Sequence, residues 1–310
     1  MSCFTREDVT FPSADGKHTI AAYFYTPADI QIRAVIQISH GMCEFITRYE
    51  PFFELMTAAG LAVCGNDHLG HGNSATPEDY GYMADQNGYR FVLGDLKRMN
   101  TMTHEKFSEL PVFMLGHSMG SFYARWYAEV YPDTINGLVI SGTGGPNPAL
   151  PAGCLLANLI AKIKGPRYIS NLMVNMSTGS YCKGLEEENS PHAWLSRNPD
   201  IWEAYANEPR CTFPFTVSAY RDMLTVYKHV SSKSWASSLP KEMPVLLVSG
   251  QADPVGNYGK GVSVVYDMLK NADLKDITMK LYPGARHELH NELNRMEYFD
   301  DLFDWLSKHW

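Results

Sequence analysis

Pro111 to Pro132 reads PVFMLGHSMGSFYARWYAEVYP. Val112 to Leu115 (VFML) is a compact apolar run of strand length. Met119, Phe122, Tyr123, Trp126, Tyr127 and Val130 then recur at three and four, a helical period that stops before Pro132. Between them lies Gly-His-Ser-Met-Gly, residues 116–120. Strand, sharp turn and helix form the setting in which a Gly-x-Ser-x-Gly string presents its serine on strained backbone angles at a helix N-terminus. There, free N–H groups favour developing negative charge. A Cβ at Gly116 or Gly120 would strike the neighbouring strand or helix. Ser118 is therefore the candidate nucleophile, set against the plainer reading of a small-residue turn.

The same rhythm extends outward from this stretch. Ala34–Ser39, Leu61–Gly65, Leu138–Ser141, Val245–Ser249 and Ile277–Tyr282 are short apolar runs. Strands alternating with helical patterns predict an α/β fold, a parallel sheet covered on both faces. Val9–Phe11 and Thr19–Tyr25 around Ala14-Asp15-Gly16 predict an opening hairpin. The rhythm lapses after Ser141. The proline- and glycine-rich stretch Gly142–Gly153 predicts irregular structure, and helix-like segments follow it, including Leu155, Leu156, Leu159, Ile160 and Ile163 at helical spacing. Residues 144–237 are expected to form a helical cap over the carboxyl edge of the sheet, where open α/β sheets bind ligands. The core then comprises 1–143 and 238–310. The Leu155 to Ile163 stripe is expected to pack inward, with contact to a membrane surface as the alternative.

A serine hydroxyl needs a base and an orienting acid. His287, in YPGARHELHNE, follows the last apolar run in a glycine-containing loop and is preferred as the base. His290, three residues on, is read as an exposed or hydrogen-bonded residue of the following helix. Asp253, in VSGQADPVG, follows the Val245 run by one short loop. Asp267, Asp273 and Asp276 are read as solvated. The order Ser118, Asp253, His287 is that of hydrolases with a serine on a strand-to-helix turn. Oxyanion donors are expected from the backbone N–H groups of Met119 and of Met42, in the loop His40-Gly41-Met42, with His40 and Gly41 supporting that loop.

Other classes fit poorly. With 26 basic and 34 acidic residues among 310, the formal charge of −8 gives no global attraction for nucleic acid. Glu186-Glu187-Glu188, the densest run of like charge, is read as a solvated turn. Six scattered cysteines without CxxC pairs favour free thiols, and with no signal-like N-terminus a cytoplasmic location is expected. Asp67-His68-Leu69-Gly70-His71 raises a metal reading, but no HExxH-type string accompanies it, so DHLGHGNS is expected to be a loop ordered by its side chains. No metal or cofactor is expected.

The ordered strings HGMCE with Arg48-Tyr49, DHLGHGNS, LGHSMG, SGQADPV and YPGARHELHNE resemble α/β-hydrolases of the monoglyceride lipase and lysophospholipase-like group, which share a serine aminopeptidase-type domain. That resemblance implies an eight-stranded, mostly parallel sheet, a helical cap and cofactor-independent hydrolysis of a small acyl ester through an acyl-enzyme. It carries over Ser118, Asp253 and His287 as a triad, with Met42 and Met119 as donors. Two positions depart from the family pattern: Met42-Cys43 stand where HGAGE is frequent, and Ser121 where GHSMGG has a second glycine. The rival functions are amide or peptide hydrolysis or acyl transfer by the same triad, and a silent receptor on the same fold.

Overall fold

The computed structural model describes residues 4–187 and 190–310. The chain opens with β1 (Phe4–Pro12), β2 (Thr19–Pro27), β3 (Ala34–Ser39), α1 (Glu50–Ala58), β4 (Leu61–Asn66), α2 (Gly88–Lys106), β5 (Val112–His117), α3 (Met119–Val130) and β6 (Gly137–Ser141). Helices α4 (Leu150–Lys164), α5 (Asn171–Thr178), α6 (Pro199–Asn207), α7 (Val217–Val230) and α8 (Lys233–Ser238) separate β6 from β7 (Val245–Gly250). Then come α9 (Lys260–Asn271), β8 (Ile277–Tyr282) and α10 (Arg295–Leu306).

The eight strands form one sheet in the order β1-β2-β4-β3-β5-β6-β7-β8. Only the β1–β2 and β2–β4 pairs are antiparallel. Strands β3 to β7 are buried along their whole length, which is why they read as unbroken apolar runs rather than alternating ones. One face packs on α1 and α10 through Phe52, Phe53, Tyr298 and Trp305. The other packs on α2, α3 and α9 through Val92, Leu96, Tyr123, Val262 and Leu269. Each fully buried aliphatic or aromatic side chain of this kind contributes about 1.5–3 kcal/mol.

Sheet order decides where a site can form. From β3 the chain moves to β4 on one side and then returns to β5 on the other, so the carboxyl ends of β3 and β5 face a crevice at a topological switch point. Ser39 pairs with Gly116 there, placing the loop after β3 beside the turn after β5.

The inserted helices differ among themselves. α7 packs on α2 and α3, and α8 on α3 and α9, burying Trp235 completely. Irregular structure ends earlier than the sequence predicts, because α4 begins at Leu150 and uses Pro151 in its first turn, where no N–H is required. The Leu155 to Ile163 stripe does not pack inward as a unit. Leu156 and Ile160 contact the core, while Leu155, Leu159 and Ile163 are 71%, 52% and 68% exposed. At helical spacing these five residues span two faces, and only one of them finds the protein interior. Among the described residues no helix is long and apolar enough to cross a membrane.

Candidate active site

Ser118 sits between β5 and α3 at φ 55°, ψ −123°, outside the usual regions for a residue with a Cβ. Its N–H donates to Ser141 O at 3.0 Å, which ties the turn to β6. The flanking glycines are required by contact. A Cβ on Gly120 would lie 2.0 Å from Ser39 O, and one on Gly116 would lie 2.5 Å from Gly120 O and 2.6 Å from Ala124 Cβ. Ser118 is thus held against β3 by closeness of backbones.

Asp253 and His287 arrive from the ends of β7 and β8 and meet in the interior. Asp253 Oδ2 lies 2.9 Å from His287 Nδ1, while Oδ1 accepts from Val255 N–H at 2.9 Å. A carboxylate in that place keeps the proton on Nδ1 and leaves Nε2 with its lone pair. Among the described residues Nε2 has no hydrogen-bond partner, and His287 lines the same cavity as Ser118. Burial works against the imidazolium, but the Asp253 charge and hydrogen bond outweigh it and hold His287 above the ordinary histidine range. Asp267 and Asp273 are exposed, and Asp276 pairs with His309 instead.

The loop after β3 is built by side chains. His40 Nδ1 donates to Gly41 O at 2.8 Å, and its Nε2 accepts from His68 N–H at 2.8 Å, so both ring nitrogens are committed. Burial pushes His40 well below the usual range and His68 and His71 to about 3 and 4, leaving three neutral rings in contact. A Cβ on Gly41 would lie 3.0 Å from Ser118 Cβ, so this loop lies directly against the serine. Met42 and Cys43 line the cavity, Cys43 at φ 55°. Asp67 orders the neighbouring DHLGHGNS loop by accepting from Ile46 and Asn73 N–H at 2.8 Å each. Among the described residues no group of three or more His, Cys, Asp or Glu is placed to hold a metal ion.

Sequence reasoning assigned no role to a buried charge cluster beside these loops. Arg48 makes paired 2.7 Å bonds to both Glu288 oxygens and reaches Glu44 at 3.2 Å. Glu44 in turn accepts from Gly41 N–H and, at 2.7 Å, from Tyr49 O–H. Burial pushes Glu44 up, whereas for Glu288 the paired Arg48 outweighs burial and keeps it low. The cluster joins the loop carrying Gly41 to the residue after His287. In sequence, Glu44 and Arg48 show an i, i+4 spacing, while Glu288 lies 240 residues from Arg48. His290 also departs from expectation. It is buried in a 3-10 turn and stacked on Tyr49 at 4.3 Å, because the loop folds under α1 rather than entering a solvated helix.

Above the site is a cavity of about 1070 Å³, lined by Phe122, Met173, Tyr181, Trp194, Met223 and Leu224 among others. The segment around Trp194 is bonded to the histidine loop: His287 N–H donates to Trp194 O at 3.3 Å and Glu288 N–H to Leu195 O at 2.8 Å. Arg286 adds bonds to Ala193 O at 2.8 Å and Ser196 O at 3.2 Å. It also pairs with Glu187 at 2.8 Å, so that part of the acidic run is bonded rather than merely solvated; Glu188 lies outside the described residues.

A family model described as serine aminopeptidase, S33 (Hydrolase_4) matches residues 30–294. The chain belongs to this family. Among relatives, it is 28% identical to a human monoglyceride lipase over 96% of this chain and 89% of the relative. It is 26% identical to a monoacylglycerol lipase of Mycolicibacterium smegmatis over 100% of both chains. The crystal structure of a thermostable carboxyl esterase from Bacillus coagulans in complex with glycerol superposes with a TM-score of 0.92 at 28% identity, over 98% of this chain and 99% of that one. The fold is accordingly the α/β-hydrolase fold, and the family resemblance read from the ordered strings holds along the S33 domain.

Proposed function

We propose that this S33-family hydrolase cleaves carboxylic esters with a small alcohol part and an apolar acyl part, such as monoacylglycerols or lysophospholipids, through a Ser118-His287-Asp253 triad. The observation that carries the reading is the buried His287–Asp253 pair at 2.9 Å on the floor of the cavity that Ser118 lines. Ser118 Oγ attacks the ester carbonyl as His287 Nε2 takes its proton, and Asp253 stabilises the imidazolium. The N–H groups of Met119 and Met42 receive the oxyanion. His287 then protonates the departing alcohol, and the same base activates water to release the acid.

Residues 144–237 act as a cap, with the segment before α7 as the roof that selects the substrate. The mostly apolar lining suits an acyl chain. The names of the human and mycobacterial relatives point to a monoacylglycerol, and the exposed Leu155, Leu159 and Ile163 suit transient contact with the membrane surface that holds such a substrate.

Ser118→Ala is expected to abolish both ester hydrolysis and covalent labelling by a fluorophosphonate. Full activity in that variant would overturn the reading. A panel of p-nitrophenyl esters, monoacylglycerols, lysophospholipids and aminoacyl amides then ranks substrates; preference for the amides would replace the ester by a peptide-type bond.

A further inference from the structure

Arg125 lies two helical turns beyond Ser118 on α3 and is completely buried. Its guanidinium reaches two segments far apart in sequence. Nη1 donates to Thr143 Oγ1 at 3.3 Å and to Gly144 O at 3.2 Å, just after β6. Nη2 donates to Val230 O, at the last residue of α7. The guanidinium also lies over the Trp235 ring of α8, 4.2 Å from its centroid, and Trp235 Nε1 donates in return to Arg125 O at 2.7 Å. Thr143 Oγ1 accepts from Ser121 Oγ as well, at 2.8 Å, so α3 holds this residue twice.

The insertion between β6 and β7 leaves the core at Gly144 and returns to it through Val230 and Trp235. All of the Arg125 contacts therefore fall at its two ends, and one core side chain holds the outgoing and the returning chain together. The chemistry suits that task. The last carbonyls of a helix lack partners within it, and a cation is the favoured donor at that end. A planar fork of N–H groups serves acceptors on two segments at once. The arrangement is also costly. Among the described residues no carboxylate pairs with Arg125, and a buried charge without a counter-ion is destabilising unless hydrogen bonds offset it. Burial lowers Arg125 to about 9, so the group keeps its charge at neutral pH. An apolar residue would fill the space at less cost, so packing alone gives no reason for a guanidinium here.

This clamp borders the cavity. Gly145 O accepts from Tyr227 O–H at 2.6 Å, and the Tyr227 ring stacks on Phe122 of α3 at 4.2 Å. Gly145, Tyr227 and Phe122 all line the cavity above Ser118. We propose that Arg125 is a positioning residue that fixes both ends of the insertion to the helix behind Ser118 and so holds this wall against the acyl part of the substrate. It acts through these residues and does not touch substrate. The proposal rests on reading the insertion as a cap over a substrate cavity.

The test compares the full chain with Arg125→Met, which keeps the length and removes the donors, and with Arg125→Lys, on p-nitrophenyl acetate and p-nitrophenyl laurate. An acetyl group is too short to need the wall, so kcat/KM on the acetate, and its pH profile, should stay within about 2-fold of the parent. On the laurate KM should rise about 10-fold in R125M with kcat little changed, the mark of lost binding rather than lost chemistry. R125K keeps the charge but not the fork and should lose about 3-fold; if R125M fails to fold, R125K carries the comparison. Hydrogen exchange should quicken at both 143–150 and 226–236 in either variant. Exchange that stays parent-like at either end would overturn the clamp, and so would equal losses on the two esters, the mark of general destabilisation. If S118A is inactive while R125M is parent-like in exchange and on both esters, only the clamp fails. Activity in S118A would remove the nucleophile reading, and the exchange result would still decide the clamp.

Discussion

The floor and the roof of the cavity are made by different means. On the floor, parallel ladders set positions: Ser39 opposite Gly116, His117 opposite Ser141, Gly250 opposite Tyr282. Each loop that brings a candidate residue leaves a strand whose neighbours fix its register, so the site inherits the rigidity of the sheet. Among the described residues the roof has no such ladder. It is held by side chains such as Arg286, and by the few backbone bonds between the Trp194 segment and the His287 loop. A site of this construction keeps its chemistry constant while the covering surface is free to vary.

The sharpest challenge to the floor is Asp253→Asn. An amide beside Nδ1 favours the wrong imidazole tautomer, and a loss of about 10⁴ in kcat is expected for a triad of this type. The pH dependence gives a second readout with a definite sign. On the proposed reading His287 is the base and must be neutral, so rate falls as pH drops through its pKa, which Asp253 holds above the ordinary value of about 6.5. Removing the carboxylate charge leaves burial as the main influence, which favours the neutral ring. The acid limb of kcat/KM should therefore move to lower pH in the variant. A limb that stays in place, with turnover little changed, would show that Asp253 does not orient the base.

Next in size is Gly120→Ala. Its new Cβ would meet Ser39 O and His40 O at 2.0 and 2.4 Å, and both are backbone atoms that cannot rotate away. Overpacking of this kind costs about 1–3 kcal/mol or more, and the shift it forces separates the serine turn from the loop after β3. Urea unfolding should register the loss of stability and esterase assays the loss of turnover. An alanine at 120 with parent-like stability would mean that the floor is more compliant than its contacts indicate.

What could be read from sequence follows the same division. The strands, the serine turn and the loops with Asp253 and His287 were legible because each depends on a local pattern: an apolar run, a glycine spacing, a turn at a strand end. Arg125 was not, since an arginine on an amphipathic helix ordinarily points to solvent, and its partners Thr143, Gly144 and Val230 belong to distant segments. The Arg48–Glu288 bridge was hidden for the same reason. His290 was misread because its burial comes from packing under Tyr49 and Phe52, across nearly the whole chain. The α4 stripe failed differently: its periodicity announced a helix correctly, but spacing alone does not say how much of an apolar arc the fold will cover.

That uncovered arc supplies the smallest expected effect and the clearest test of the roof. Leu155 and Leu159 are 71% and 52% exposed and one helical turn apart on α4. Replacing both with serine removes little buried surface, so unfolding free energy should change by no more than about 0.5 kcal/mol per site. Hydrolysis of a soluble p-nitrophenyl ester should also be unchanged, because neither side chain lines the cavity. Monoacylglycerol presented in phospholipid vesicles poses a different demand: the enzyme must first dwell on a surface, and apolar side chains that enter the acyl boundary prolong that contact. The double variant should lose several-fold in rate on vesicles alone, and sedimentation with substrate-free vesicles should show weaker binding. Equal rates on both substrates would mean that the exposed leucines face only water, and that the roof influences substrate choice through its inner surface.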